Sequence, residues 1–180
     1  MKPDRTIGRL AAMAAALLLL MAQIDPAAAQ KADALTNLDR DLAQLRACYN
    51  PLNAGCVIDT MPPEILKLAG GKEALIGIME STLKSLAQGD TKAQFDKVVH
   101  TPDKAASKLG GKLFAKVLQK YPVRLQGKEG HLSGALVAIS SDDGATWKFA
   151  DASSKEAFEQ FYPGAWELLK IAPPKFEPKT

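Results

Sequence analysis

Groups able to do chemistry are few and scattered in this chain. It has two histidines, His100 and His131, and two cysteines, Cys48 and Cys56. Two histidines far apart in sequence do not make the ligand cluster of a metal site, so none is expected. The cysteines flank Tyr49-Asn50-Pro51-Leu52-Asn53-Ala54-Gly55, which is too wide for a CxxC redox pair. Neither has a neighbour that would activate it as a nucleophile. No GxGxxG follows a strand and no phosphate loop is present, so nothing calls for a cofactor. The remaining polar candidates are Tyr49, Asp96 and Tyr121. Acid–base chemistry would require one of these groups to be buried in a pocket that shifts its pKa. His100 draws most interest, because it closes a predicted strand containing Val98-Val99 and precedes Thr101-Pro102.

The elements that must hold these residues are legible from periodicity. Leu35, Leu38, Leu42, Leu45, Tyr49 and Leu52 recur at steps of three and four, which places them on one face of a helix over residues 31–52. Tyr49 lies on that apolar face. Pro51 sets the helix end near Asn50. Thr60-Met61-Pro62-Pro63-Glu64 starts a short second helix with an apolar stripe of Ile65, Leu68 and Ala69, stopped by Gly70-Gly71. A third helix spans Lys72 to Gln88, with Leu75, Ile76, Met79, Leu83 and Leu86 on its buried face. Beyond Gly89 the period changes to that of strands. Phe95 to His100 is one, and Pro102 to Leu109 is a connection. Lys112 to Gln126 fits one long strand or two short ones bent at Pro122, although its apolar residues also suit a short helix. His131 to Ser140 and Thr146 to Ala150 complete the run, with Trp147 and Phe149 on one face. Ser153-Ser154-Lys155-Glu156 is a capping box for a last helix. Helices grouped ahead of antiparallel strands give an α+β fold.

Composition narrows the class. The 180 residues are 47% hydrophobic, too apolar for a disordered chain. Lys+Arg number 23 against 20 Asp+Glu, and this near balance gives no nucleic-acid footprint. Residues 1–29 have the form of a secretory signal peptide. Lys2, Arg5 and Arg9 precede an apolar run from Leu10 to Ile24, and Pro26 and Ala27-Ala28-Ala29 supply a cleavage site. The run is shorter than the roughly 20 residues that span a bilayer. Processing therefore leaves no integral membrane segment, and residues 30–180 form one domain, expected in the periplasm. In that oxidising space Cys48 and Cys56 are expected to form a structural disulfide.

Lys104, Lys108, Lys112, Lys116 and Lys120 recur every fourth residue. On a strand the last three share a face. That face is either a solvated sheet surface or a contact for an anionic partner or lipid head group.

The most specific motif is Ser140-Ser141-Asp142-Asp143-Gly144-Ala145-Thr146-Trp147. It resembles the Asp-box turn, S-x-D-x-G-x-T-W, of sialidases and several unrelated folds. A sialidase propeller carries several copies, so this single copy is expected to be structural. Asp142 would accept bonds from turn amides, Gly144 would take positive φ, and Trp147 would pack back into the core.

The element order, with Gly70-Gly71-Lys72-Glu73 opening the long helix and this hairpin closing the sheet, resembles the NTF2-like (cystatin-like α+β) superfamily, especially its exported bacterial members. The resemblance covers roughly residues 31–172. It implies N-terminal helices wrapped by a strongly curved antiparallel sheet, with a cone-shaped pocket at the open end. Some relatives are enzymes, such as ketosteroid isomerases and polyketide cyclases; others bind ligands or dock partners. The isomerase set, a general-base carboxylate with Tyr and a protonated Asp, has no residue-by-residue match here. Of the polar residues able to face a cone, Asp96 and His131 are expected toward solvent. Tyr49 and His100 are the candidates for lining the pocket and orienting a small apolar molecule. Catalysis of isomerase or cyclase type, partner docking on the outer sheet and a homodimer stay open.

Overall fold

The spacing of Leu38, Leu42 and Leu45 is realised in α1 (Pro26–Tyr49), where these three leucines and Ala34 are buried against the sheet. Fully burying a leucine is worth about 1.5–3 kcal/mol, so this stripe fixes how the sheet wraps the helix. The computed structural model describes residues 26–49, 53–88 and 91–179. The chain divides into two units, Met1–Ala32 and Asp33–Thr180, and the second holds everything discussed below. Most of the signal segment, residues 1–25, lies outside the described residues, as do Asn50 to Leu52.

Three helices follow: α2 (Ala54–Asp59), α3 (Pro63–Leu68) and α4 (Lys72–Gln88). Helix α2 was not apparent from periodicity. It starts where the Asn53 side chain accepts the Cys56 amide at 3.0 Å, an N-cap only one turn long. The expected stripe on α3 is corrected. Ile65 packs against the core, but Leu68 is 70% exposed. In α4, Leu75, Ile76 and Met79 are half-buried, whereas Leu83 and Leu86 lie among side chains that are not described.

The sheet is antiparallel and strongly curved, giving the α+β class. Its strands are β1 (Lys92–Ala93), β2 (Val99–Pro102), β3 (Ser107–Leu109), β4 (Lys112–Leu125), β5 (Lys128–Ser140), β6 (Lys148–Asp151) and β7 (Lys175–Pro178). The long β4–β5 hairpin is its spine. β1, β2 and β3 pair in turn along one side of β4, and β6 and β7 along the far side of β5. Lys112–Leu125 is thus one strand, not a helix or two pieces. Pro122 is tolerated because its carbonyl, and hence the position of its missing N–H, faces away from β5. That carbonyl accepts Gln94 N–H at 3.0 Å, beside the interruption between β1 and β2.

Phe95 to His100 is corrected from one strand to a 3-10 turn (Phe95–Lys97) followed by β2, so His100 sits inside the strand rather than at its end. The expected connection before Leu109 contains β3, and β7 was not foreseen.

Strand alternation gives the sheet two faces. Ala115, Val117, Leu136, Ala138 and Phe149 meet α1 on the inner face. Phe114, Val137, Ile139 and Ala150 meet α5 (Lys155–Glu159) and α6 (Ala165–Leu168) on the outer one, through Phe158, Tyr162 and Trp166. The cap of α5 is Ser154, whose hydroxyl accepts Ala157 N–H at 3.2 Å. Ser153 instead bonds back to Asp151, and with Ala157 three positions after Ser154 the expected capping box is replaced by a simple serine N-cap.

The Asp-box hairpin is a docking clip. Ser140 Oγ donates to Asp142 Oδ1 at 2.7 Å and accepts Gly144 N–H at 2.8 Å. Thr146 gives its amide to Oδ1 and its hydroxyl to Oδ2 of Asp142. The turn is then pinned to α1: Trp147 N–H donates to Asp41, its indole N–H to the Ala34 carbonyl at 2.9 Å, and Asn37 donates to the Gly144 carbonyl. The Ser140 hydroxyl first, then the Thr146 amide and hydroxyl, hold the Asp142 carboxyl down at about 2. Its contribution to stability is therefore complete above the ordinary carboxylate pKa near 4 and is lost as pH falls toward about 2. Because Asp142 is exposed, the expected loss on Asp142→Asn is only about 1 kcal/mol. Urea titrations at pH 7 and pH 2 should show the two proteins differing at the first and converging at the second.

Cys48 and Cys56 form a disulfide, with Cα atoms 5.4 Å apart, joining the last turn of α1 to α2. Loop entropy assigns this small ring roughly 2–3 kcal/mol. The Cys48→Ala/Cys56→Ala protein should unfold at correspondingly lower urea. An unchanged midpoint would leave the crosslink without a stabilising role.

Candidate functional site

Tyr49 is the last residue of α1, and the helix delivers it to the inner face of the sheet beside His100 of β2. Their ring centroids are 5.8 Å apart. Phe95, from the 3-10 turn, stacks on Tyr49 at 6.1 Å, and Tyr121 of β4 meets Phe95 at 5.0 Å. The two residues singled out from sequence therefore belong to one cluster of four rings, at the end of the inner face beyond Leu45. Strand register explains the rest of the set. His100 pairs with Gln119, and Gln119 shares the inner face with Val117 and Tyr121, two positions away on either side. Asp151 pairs with Leu136 on the same face. Asp96 and His131 are exposed, as expected.

The electrostatics follow from burial. His100 is 4% exposed, and neither ring nitrogen has a hydrogen-bond partner among the described residues. Burial first, and the nearby Arg46 charge second, push its pKa down to about 4. Arg46 itself donates to the His100 carbonyl at 2.7 Å. Burial, helped by the negative charge of Asp151, pushes Tyr49 up to about 12 and Tyr121 in the same direction. At neutral pH the lining is thus a neutral imidazole and two protonated phenols. Such groups donate and accept hydrogen bonds but are poorly matched to moving protons near pH 7. The Tyr49 and Tyr121 hydroxyls and the Gln119 amide also lack protein partners among the described residues.

Sequence reasoning reached Tyr49, His100 and Tyr121 but missed Phe95, Gln119 and Asp151. Gln119 could have been found from its spacing of two from Tyr121 once that segment was taken as a strand.

The lysine series has a different fate. Lys112, Lys116 and Lys120 do share the outer face, but they pair with Glu64 at 2.7 Å, Asp103 at 3.2 Å and Glu177 at 3.0 Å. Lys108 pairs with Asp143 at 2.9 Å. The charge is answered within the chain, which supports a solvated sheet face. Glu64 also accepts the Tyr162 hydroxyl at 2.9 Å, which makes its contact with Lys112 a tie between α3 and the outer core.

Three surface clefts among the described residues lie elsewhere. One, about 250 Å³, runs along the outer face past Val99, Thr101, Leu118 and Pro122, where Val99 and Leu118 are 61% and 48% exposed. The others, about 200 and 530 Å³, flank Glu64–Lys112 and Lys92–Arg124. None is lined by Tyr49 or His100. Among the described residues no three His, Cys, Asp or Glu side chains could hold a metal ion, and no helix is long and apolar enough to cross a membrane.

Compared with family models, with curated proteins and with solved structures, the chain matches none.

Proposed function

We propose that this is an exported, periplasmic member of the NTF2-like superfamily that binds a small, largely apolar ligand at the ring cluster on the inner sheet face. Helices packed on a curled antiparallel sheet support the family reading. The Cys48–Cys56 disulfide and the signal-like N-terminus support export. N-terminal sequencing of the exported protein should begin at Gln30; an intact Met1 would remove the export claim.

One observation carries the binding reading. A buried polar atom without a partner costs about 1–3 kcal/mol, and native proteins retain few of them. His100 has two, beside the half-buried Tyr49 ring, which Phe95 and Tyr121 extend into a cluster. A ligand that stacks on the rings and bonds the imidazole would recover that cost. The imidazole is closed off from solvent, so such a ligand reaches it only by displacing a neighbouring side chain, and the Tyr49 ring is the one packed beside it. The isomerase or cyclase alternative is less well served, since His100 near 4 and Tyr49 near 12 both lie far from neutral.

The test is a chemical-shift titration of the His100 and Tyr49 rings with 2-naphthol and with naphthalene, Tyr49 serving as the probe in the variant that lacks His100. 2-Naphthol should bind about tenfold more tightly, the worth of one good hydrogen bond, and His100→Phe should erase the difference. Equal binding of both probes, or no shift at His100 with either, would refute the reading.

A further inference from the structure

The proposed site carries more polar groups than one anchor requires, and their pattern specifies the ligand. His100 and Gln119 are partners across the β2–β4 ladder, side by side on the inner face. The next position in the same row is Gly134 of β5, which also pairs with Gln119. A Cβ placed on Gly134 would meet the Gln119 Nε2 at 3.9 Å and Pro174 at 4.0 Å. These are ordinary contacts, so an alanine would fit, and the glycine is not demanded by a positive φ. The row thus consists of a side chain with one donor and one acceptor, an amide with both, and a residue that adds no bulk.

The charges nearby, Arg46 and Asp151, both stand at exposed positions. Arg46 bonds the His100 carbonyl, and the Asp151 carboxylate accepts from Ser153. A carboxylate or ammonium brought against the buried imidazole would lose hydration, and the exposed Arg46 and Asp151 charges, weakened by solvent, would repay only part of that cost. A neutral group with adjacent donor and acceptor loses far less and can satisfy both anchors.

We infer that Gln119 is the second anchor of the site, and that with His100 it selects an uncharged ligand bearing an amide-like pair of donor and acceptor on a flat apolar body. This rests on the ligand-binding reading above. An amide can give its N–H and its carbonyl to the two neighbouring side chains at once. A carboxylate can only accept and an ammonium can only donate.

The experiment uses the full processed protein and three probes sharing one ring system: 2-naphthamide, 2-naphthoate and 2-(aminomethyl)naphthalene. Binding is followed through the His100 ring and Gln119 side-chain resonances. The amide should bind at least tenfold more tightly than either charged probe. Gln119→Met, which keeps the length of the side chain, should remove most of that preference while leaving the unfolding midpoint close to wild type. Gln119→Glu should weaken the amide and improve the ammonium. If the probes bind and respond to His100→Phe but show no amide preference, or ignore Gln119→Met, the Gln119 assignment fails and the His100 reading survives. If no probe shifts His100, both fail.

Discussion

Gly144→Ala is expected to destabilise the protein by roughly 4 kcal/mol, a large share of the 5–15 kcal/mol that holds a typical domain together. Two costs combine. Gly144 has φ of +92°, a conformation that costs a residue with a Cβ about 1–3 kcal/mol. The added Cβ would also fall 2.3 Å from the Cβ of Ala34 and 2.9 Å from its Cα. The second atom is backbone in the middle of α1, so relief requires the helix and the hairpin to separate, and overpacking of this kind costs about 1–3 kcal/mol more. Separation would also stretch the Trp147 indole bond to Ala34 and the Asn37 bond to Gly144. Gly110 is the control. It too has positive φ, at +55°, but an added Cβ meets nothing within 4 Å. Gly110→Ala should therefore cost only about 1 kcal/mol, from conformation alone. Urea unfolding of both variants decides the matter. Equal losses at the two positions would mean that the close approach of hairpin to helix is not as described.

His100→Phe should do the opposite and make the protein more stable, by about 1–3 kcal/mol at pH 7. A phenyl ring keeps the contact with Tyr49 and deletes two buried nitrogens that have no partner. The gain should grow with acid. Folded His100 titrates near 4, whereas an unfolded histidine titrates near 6.5. Between those values the unfolded chain binds a proton that the folded chain refuses, so wild-type stability falls as pH drops from 6.5 to 4. The span corresponds to about 3 kcal/mol, after which the loss levels off. The variant should lack this segment of the pH profile. The two proteins should thus diverge between pH 7 and pH 4 and run parallel above pH 7. A variant less stable than wild type at pH 7, or one with the same acid limb, would show that the nitrogens are satisfied in solution. Stability gained together with loss of 2-naphthol binding is the pattern of a functional site maintained against the fold's own interest.

Much of the architecture was legible because it rests on local rules. The three-four spacing of Leu38, Leu42 and Leu45 dictated both a helix and its buried side. Asp142, Gly144 and Thr146 announced a turn whose internal bonds run among Ser140, Asp142, Gly144 and Thr146, whereas its anchoring to α1 through Trp147 and Asn37 is tertiary. The disulfide followed from two cysteines and an export-like leader. Local rules misjudged the one-turn helix at Ala54–Asp59, the 3-10 turn at Phe95–Lys97 and the face of α3, where pieces are too short for periodicity to outweigh tertiary contacts.

The candidate site divides along the same line. From sequence alone, Tyr49 was fixed to the apolar side of the first helix, and His100 was placed at the end of a strand after Val98-Val99. That the two touch depends on the register of β2 against β4 and on where α1 stops, and both are set by packing between segments far apart in the chain. Register also decides that Gln119 stands beside His100, and that Lys112, Lys116 and Lys120 reach Glu64, Asp103 and Glu177 and are thereby neutralised. A shift of one residue would turn every one of these side chains to the other face. Residue type and spacing therefore determined which groups were available, and the pairing of distant strands around α1 decided which of them meet, because side-chain direction in a sheet is fixed only once the partner strand is in place.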